Sequence, residues 1–177
     1  MASEARARND RAPQPPPAKG STITLELDAT DRAILGLLQA DGRMTNVELA
    51  ERIHLSASAC LRRIRRLEAT GVIDRYVALV DSARVGRSTD VFVEISLTTQ
   101  AGPMLDAFEA AVLDTPEIIS CHLMAGDADY LVRLKVADVA DYERIYRDHL
   151  SRLPGVSRMH SRFALRTVSE TTALPLS

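Results

Sequence analysis

Residues 45–73, TNVELAERIHLSASACLRRIRRLEATGVI, constrain this chain more than any other stretch. Thr45 with Glu48 three residues on is a capping box, which satisfies otherwise orphaned N–H groups at a helix start. Val47, Leu49, Ala50 and Ile53 supply the buried face of that helix. Ser56 caps a further helix that runs to a stop at Gly71. Two short helices with a tight turn between them leave little choice of fold. The second carries four arginines in five positions, Arg62, Arg63, Arg65 and Arg66. Its core face takes Cys60, Ile64 and Leu67, at i, i+4 and i+7. At about 100° per residue the opposite face takes Ser58, Arg62, Arg65 and Ala69, with Arg66 on its flank. Arg63 projects nearer the buried side, where an acid of the same domain can pair it. A helix of this kind suits the major groove of DNA. Ala57, Ser58, Leu61 and Arg62 stand near enough to its start to approach base edges, Arg65 and Arg66 suit phosphates, and the capping Ser56 belongs to the same DNA-binding set.

The charge distribution supports that reading. Net charge is only −2, yet residues 52–67 hold five arginines and no acid. Cations gathered on one element make a phosphate footprint. Upstream, a helix near 29–40 is expected, capped by Asp28 or Thr30, with Ile34, Leu37 and Leu38 inward. Residues 1–25 contain the run Pro15-Pro16-Pro17 and no apolar periodicity, and are expected to be a disordered tail. The helical DNA-binding domain is placed at 26–75, and a strand (VIDRYVALVD) with its linker fills the way to 89. The absence of a signal-peptide core, of any long apolar run and of a cysteine framework predicts a cytoplasmic protein that does not enter a membrane.

Residues 90–177 show a half-repeat, strand–helix–Pro-x-(Ile/Val) twice over. Strands are expected at 90–98, from 116, at 129–136 and from 154 to about 168, with helices at 103–114 and after Asp138. The order βαββαβ is a ferredoxin-like split βαβ, which makes the chain α+β. Helices cover one face of such a sheet. On the first strand Val91, Val93, Ile95 and Leu97 point one way and Phe92 the other, so the second face also carries apolar groups. A bare, partly apolar face calls for a partner, and a homodimer is expected.

The segments LDATDRAILGLLQADGR, ELAERIHLSASACLRRIRRLEATGVI, HLMAGDADYLVRLKV, LPGV and ETTALPLS, in this order, resemble the Lrp/AsnC (leucine-responsive, feast–famine) transcriptional regulators over about 26–177. The resemblance implies a winged helix-turn-helix domain joined to a ferredoxin-like sensing domain. It also implies dimers that assemble to higher even oligomers, octamers among them, and an amino-acid-type effector acting on double-stranded DNA binding. By itself the turn Gly126-Asp127-Ala128-Asp129 reads as a polar hairpin turn. By resemblance it holds the effector. Gly126 would then let the ligand approach the backbone, and Asp127 or Asp129 would meet its ammonium. On the last strand, Met159 and Ser161 match positions where such regulators place hydroxyl contacts. Met159 lacks the hydroxyl and hints at a more apolar ligand, and Ala128 stands where an aromatic residue is common.

Enzyme readings are weaker. His54, His122, His149 and His160 lack zinc spacing, two carboxylates on one turn are too few for a divalent cation, and no nucleophile elbow, Walker loop or CxxC is present. No cofactor, metal or catalytic residue is expected. Two alternatives share the architecture: an enzyme resembling the sirohaem decarboxylases, recruiting His122 or His160, and a ligand-independent nucleoid-architectural protein.

Overall fold

The computed structural model describes residues 26–176; the tail expected at 1–25 lies outside them. The chain divides into two units, a helical one that runs to Leu79 and takes in Thr167 onward, and a sheet unit spanning Val80–Arg166.

The helical unit contains α1 (Ala29–Ala40), α2 (Asn46–Arg52) and α3 (Ala57–Ala69). Each start is chemically specified. Asp28 and Asp31 form a capping box on α1, Thr45 and Glu48 form one on α2, and the Ser56 hydroxyl accepts from the Ala59 N–H on α3. The turn into α3 places His54 at φ 55°, a left-handed conformation that histidine tolerates better than most side chains. Asn46 closes the turn by donating from its side chain to the Ala57 carbonyl at 2.8 Å. Ile34, Leu35, Leu49, Ala50, Cys60, Ile64 and Leu67 form the core. Leu67 and Ile34 are fully buried, and a side chain of that size contributes roughly 1.5–3 kcal/mol when removed from water.

Polar chemistry sets the angle between α1 and α3. Asp31 is fully buried, and its carboxylate accepts from Arg63 at 2.9 Å and from Arg66; Arg63 also meets Asp28 at 2.7 Å. A buried carboxylate is costly unless paired, and two guanidinium groups pair this one. The pairing foreseen for Arg63 is therefore present. Arg66, expected on the DNA face, turns back to α1 instead, because the buried Asp31 leaves two oxygens to satisfy.

Two expectations fail in this unit. Val47 points outward at 57% exposure, and Leu49 and Ala50 fill the groove in its place. Leu35 joins the inward stripe of α1, and Leu37 and Leu38 pack half-buried against the same core as expected. The stretch after Gly71 forms no strand: no ladder partner exists for it among the described residues, and Tyr76, Val77, Leu79 and Val80 are 50–74% exposed. The C-terminal segment, expected with the sheet, docks here. The Gln39 side-chain amide donates to the Leu174 carbonyl at 3.1 Å and accepts its N–H at 2.6 Å, while Leu176 packs on the helical core.

The sheet unit holds β1 (Thr89–Leu97), α4 (Gly102–Leu113), β2 (Ile118–Leu123), β3 (Tyr130–Val136), α5 (Val139–Asp148) and β4 (Val156–Phe163), with a short 3₁₀ turn at Leu150–Arg152. The antiparallel order β2-β3-β1-β4 is the ferredoxin-like arrangement that the sequence pattern predicts. Val91, Val93, Ile95 and Leu97 face inward with Val132, Leu134 and Val136, and Phe108 of α4 and Ile145 of α5 cap that face. Phe108 stacks on Tyr130 at 4.4 Å, and the Tyr130 hydroxyl donates to Glu109 at 2.7 Å. Burial pushes the Cys121 thiol up to about 11, with help from Glu109, so this cysteine stays protonated and unreactive.

Two predictions follow from these contacts. Asp31→Asn removes the charge that Arg63 and Arg66 share. Because both arginines are partly exposed and can regain water, the loss is about 2–3 kcal/mol, read by urea unfolding with far-UV circular dichroism. Arg62→Ala, the control, changes stability by less than about 0.5 kcal/mol. The second concerns acid. Backbone N–H groups hold Asp28, Glu48 and Asp141 below the ordinary carboxylate range. For Asp90, burial pulls upward, but hydrogen bonds from Arg133 and Lys135 outweigh it and the pKa is lowered. Depressed native values mean stability that is present above the unfolded carboxylate range and lost as pH falls through the native values. Melting temperatures should therefore hold down to about pH 4 and drop below it.

Candidate nucleic-acid interface and effector pocket

The solvent face of α3 is what its periodicity predicts. Ala57, Ser58, Leu61, Arg62 and Arg65 are exposed. Arg62 and Arg65 make no ion pair or side-chain hydrogen bond among the described residues, whereas Arg63 and Arg66 are held by Asp28 and Asp31. The four arginines thus divide into a fold-holding pair and an outward pair. Ser56 is spent as the α3 cap, and its hydroxyl lies 3.2 Å from that of Ser58. Leu61, a large apolar side chain 37% exposed amid arginines, completes the surface. Its position between Ser58 and Arg62 suits contact with a thymine methyl.

The sheet unit carries a second candidate site, an open cavity of about 340 Å³ on the sheet face that no helix covers. The turn between β2 and β3 forms one end through Met124, Ala125, Asp127 and Ala128. Gly126 holds φ +134°, a backbone conformation that L side chains rarely adopt, and so lets the turn fold tightly. The floor comes from β1 and β4. Register pairs Ser96 with Arg158, Glu94 with His160 and Phe92 with Arg162, which puts these three β4 side chains in a row on the open face. Glu94 and Arg162 form an ion pair at 3.1 Å. Asp127, Arg158 and His160 line the same cavity without an ion-pair partner among the described residues.

This geometry divides the residues expected to hold the effector. Asp127 and Ala128 line the cavity and Gly126 shapes its rim. Asp129 does not: it is buried, and its oxygens accept the Leu97 N–H at 2.6 Å and the Gln100 side-chain amide at 2.5 Å. Met159 and Ser161 lie on the opposite, helix-covered face. Met159 pairs with Ile95 and packs on the core, and the Ser161 hydroxyl bonds the Tyr142 hydroxyl of α5. Met159 and Ser161 thus stand on the face of β4 that turns away from this cavity, because successive side chains along a strand alternate between its faces. On β4 the residues that line the cavity, none of them singled out by the sequence reading for this site except His160 as an alternative, are Arg158, His160 and Arg162. The available signal was the alternation Met159-Ser161-Phe163 against Arg158-His160-Arg162, the second set being too charged to lie beneath helices.

The family profile described as "Winged helix-turn-helix DNA-binding" matches residues 27–74, and the one described as "Lrp/AsnC ligand binding domain" matches residues 90–174. The leucine-responsive regulatory protein of Salmonella typhimurium is 42% identical over 149 residues, 84% of this chain and 91% of that protein. The Bkd operon transcriptional regulator of Pseudomonas aeruginosa is 42% identical over 151 residues, 85% of this chain and 99% of that protein. Among solved structures, a transcriptional regulator of Neisseria meningitidis in complex with L-Met superposes with a TM-score of 0.81 at 38% identity, covering 85% of this chain and 97% of that one. Both units find their counterparts in these matches, and the chain belongs to the Lrp/AsnC family of transcriptional regulators.

Proposed function

We propose that this regulator reads duplex DNA through the outer face of α3 and answers to a small amino-acid-type effector held at the Gly126–Ala128 turn. The observation that carries the first half is the outward, unpaired state of Arg62 and Arg65 beside two arginines consumed by Asp31. Guanidinium groups without internal partners bind phosphate at little cost and release counterions as they do so. Ala57, Ser58, Leu61 and Arg62 are assigned to base edges, Arg65 to phosphate, and Ser56 and Arg66 to holding the helix in place.

The effector half rests on the cavity's composition. Asp127 lines the cavity and gives an anion for an α-ammonium; the α-carboxylate is assigned to backbone N–H groups of the same turn. The L-Met complex of the Neisseria regulator supports an amino acid as ligand class. Control of amino-acid uptake or breakdown, in the cytoplasm, is the role this suggests. A second copy of the chain is assigned to the uncovered sheet face, where Phe92 and Leu131 lie half-buried among charged neighbours. That pairing would wall the cavity and set two α3 helices on adjacent half-sites, with higher even oligomers built from such dimers.

The test begins with duplexes selected from a random pool. Arg62→Ala with Arg65→Ala should weaken binding of the selected duplex at least about tenfold, lower the salt slope by about two and leave unfolding unchanged. Normal binding by that variant contradicts the assignment of α3. A selection that yields no consensus, with no amino acid altering binding, would point to a ligand-independent architectural protein.

A further inference from the structure

We propose that Asn46 is a positioning residue for DNA reading, which acts through α3 and fixes where Ala57 and Ser58 meet the base edges. The proposal rests on the assignment of α3 made above and adds a residue of α2 to it. Asn46 is the first residue of α2. Its side-chain Nδ2 donates to the Ala57 carbonyl at 2.8 Å. That carbonyl belongs to the first turn of α3, where the helix's own ladder joins it to the N–H of Leu61. A carbonyl has two lone pairs, so the two bonds stand together. The carboxamide is therefore tied to the end of α3 that approaches the groove.

Little else aims that end. Leu49 and Ala50 of α2 share one core with Cys60, Ile64 and Leu67 of α3, and apolar packing is not directional. The turn is bonded to α2 by its backbone as far as Leu55, whose N–H reaches the Ala50 carbonyl at 2.9 Å. Asp31 grips α3 only from Arg63 onward, about 9 Å along the axis from Ala57. Among the described residues no other side chain of α2 hydrogen-bonds α3. Asn46 thus supplies the second directional hold on the reading helix, at the end opposite to Asp31. It does so at a cost. Its Oδ1 is shielded from solvent and accepts from no described residue, and a shielded acceptor without a donor destabilises. Alanine would serve the stability of α2 about as well; what asparagine adds is aim. Hydrogen bonds to base edges tolerate displacements of only about half an ångström, whereas contacts to phosphate carry no sequence information. Loosening the leading turn should therefore cost specificity and spare backbone affinity.

The experiment is competition binding of the full chain to a selected duplex, to its single-base-pair variants and to an unrelated duplex, at one salt concentration and then across a salt series. Wild type should prefer the selected duplex about tenfold or more at the most sensitive base pairs. Asn46→Ala should cut that preference to about twofold at one or more of them, with binding of the unrelated duplex and the salt slope as in wild type. Its melting temperature should move by less than about 3 °C. Asn46→Leu, close to asparagine in size but without the donor, should behave alike. An unchanged preference in both variants overturns the proposal. So does equal weakening of every duplex with the preference intact, which is what a residue that only supports the fold or meets phosphate would give, and so does failure of both variants to fold. Those results leave the reading of α3 standing wherever Arg62→Ala with Arg65→Ala still weakens binding. If that double variant binds normally, or wild type prefers no duplex, the assignment of α3 is wrong and the role of Asn46 falls with it.

Discussion

A single buried carboxylate, Asp31, organises the DNA-binding half. It has no exposed surface, so it must be paired, and the partners within reach are Arg63 and Arg66 of α3. Helical periodicity places Arg62 and Arg65 on the other side of the same helix. The fold therefore consumes two cations and presents two. The apolar core of the unit would tolerate rotation of α3 by a fraction of a turn. Two directional hydrogen bonds to Asp31, with a third contact to Asp28 at 2.7 Å, tolerate far less.

The sheet unit rests on an equally simple constraint, the period of two along a strand. From Val91 onward every inward position on β1 is apolar, as is every one on β3, and α4 and α5 cover that face. The outward positions are then free to carry charge, and on β4 they carry Arg158, His160 and Arg162. Asp129 belongs to the covered side in function as well as in position. Its bonds to Leu97 and Gln100 fix the end of β1 and the segment leading to α4, which fixes in turn the turn that bears Asp127. One acid of the Gly-Asp-Ala-Asp turn is structural and the other is open, a division that sequence symmetry hides.

What could be read from the chain alone was what local chemistry decides. The capping boxes at Asp28 and Thr45, the Ser56 cap, the Cys60-Ile64-Leu67 stripe and the βαββαβ order were all legible, since each depends on neighbours within one or two turns or on simple alternation. Where Arg66, the faces of β4 and the C-terminal segment depart from the sequence reading, a partner distant in sequence decides. Arg66 is claimed by Asp31, thirty-five residues away. The phase of β4 is decided by its register with β1, and the C-terminal segment by Gln39, 135 residues distant. The apolar stretch around Tyr76–Val80 has strand composition, but composition does not supply a ladder, and no described residue pairs with it.

The division of the arginines is the claim from which the account of DNA recognition proceeds, and side-chain NMR reads it directly. Guanidinium Nη–H resonances, the groups through which Arg63 and Arg66 bond Asp28 and Asp31, would be followed while a selected duplex is titrated into the labelled protein. Arg63 and Arg66 should be protected from solvent exchange before DNA is added and unchanged after it. Arg62 and Arg65 should exchange freely at first, then shift and become protected on binding. Protection of Arg62 and Arg65 in the free protein, or DNA-induced shifts confined to Arg63 and Arg66, would contradict the account.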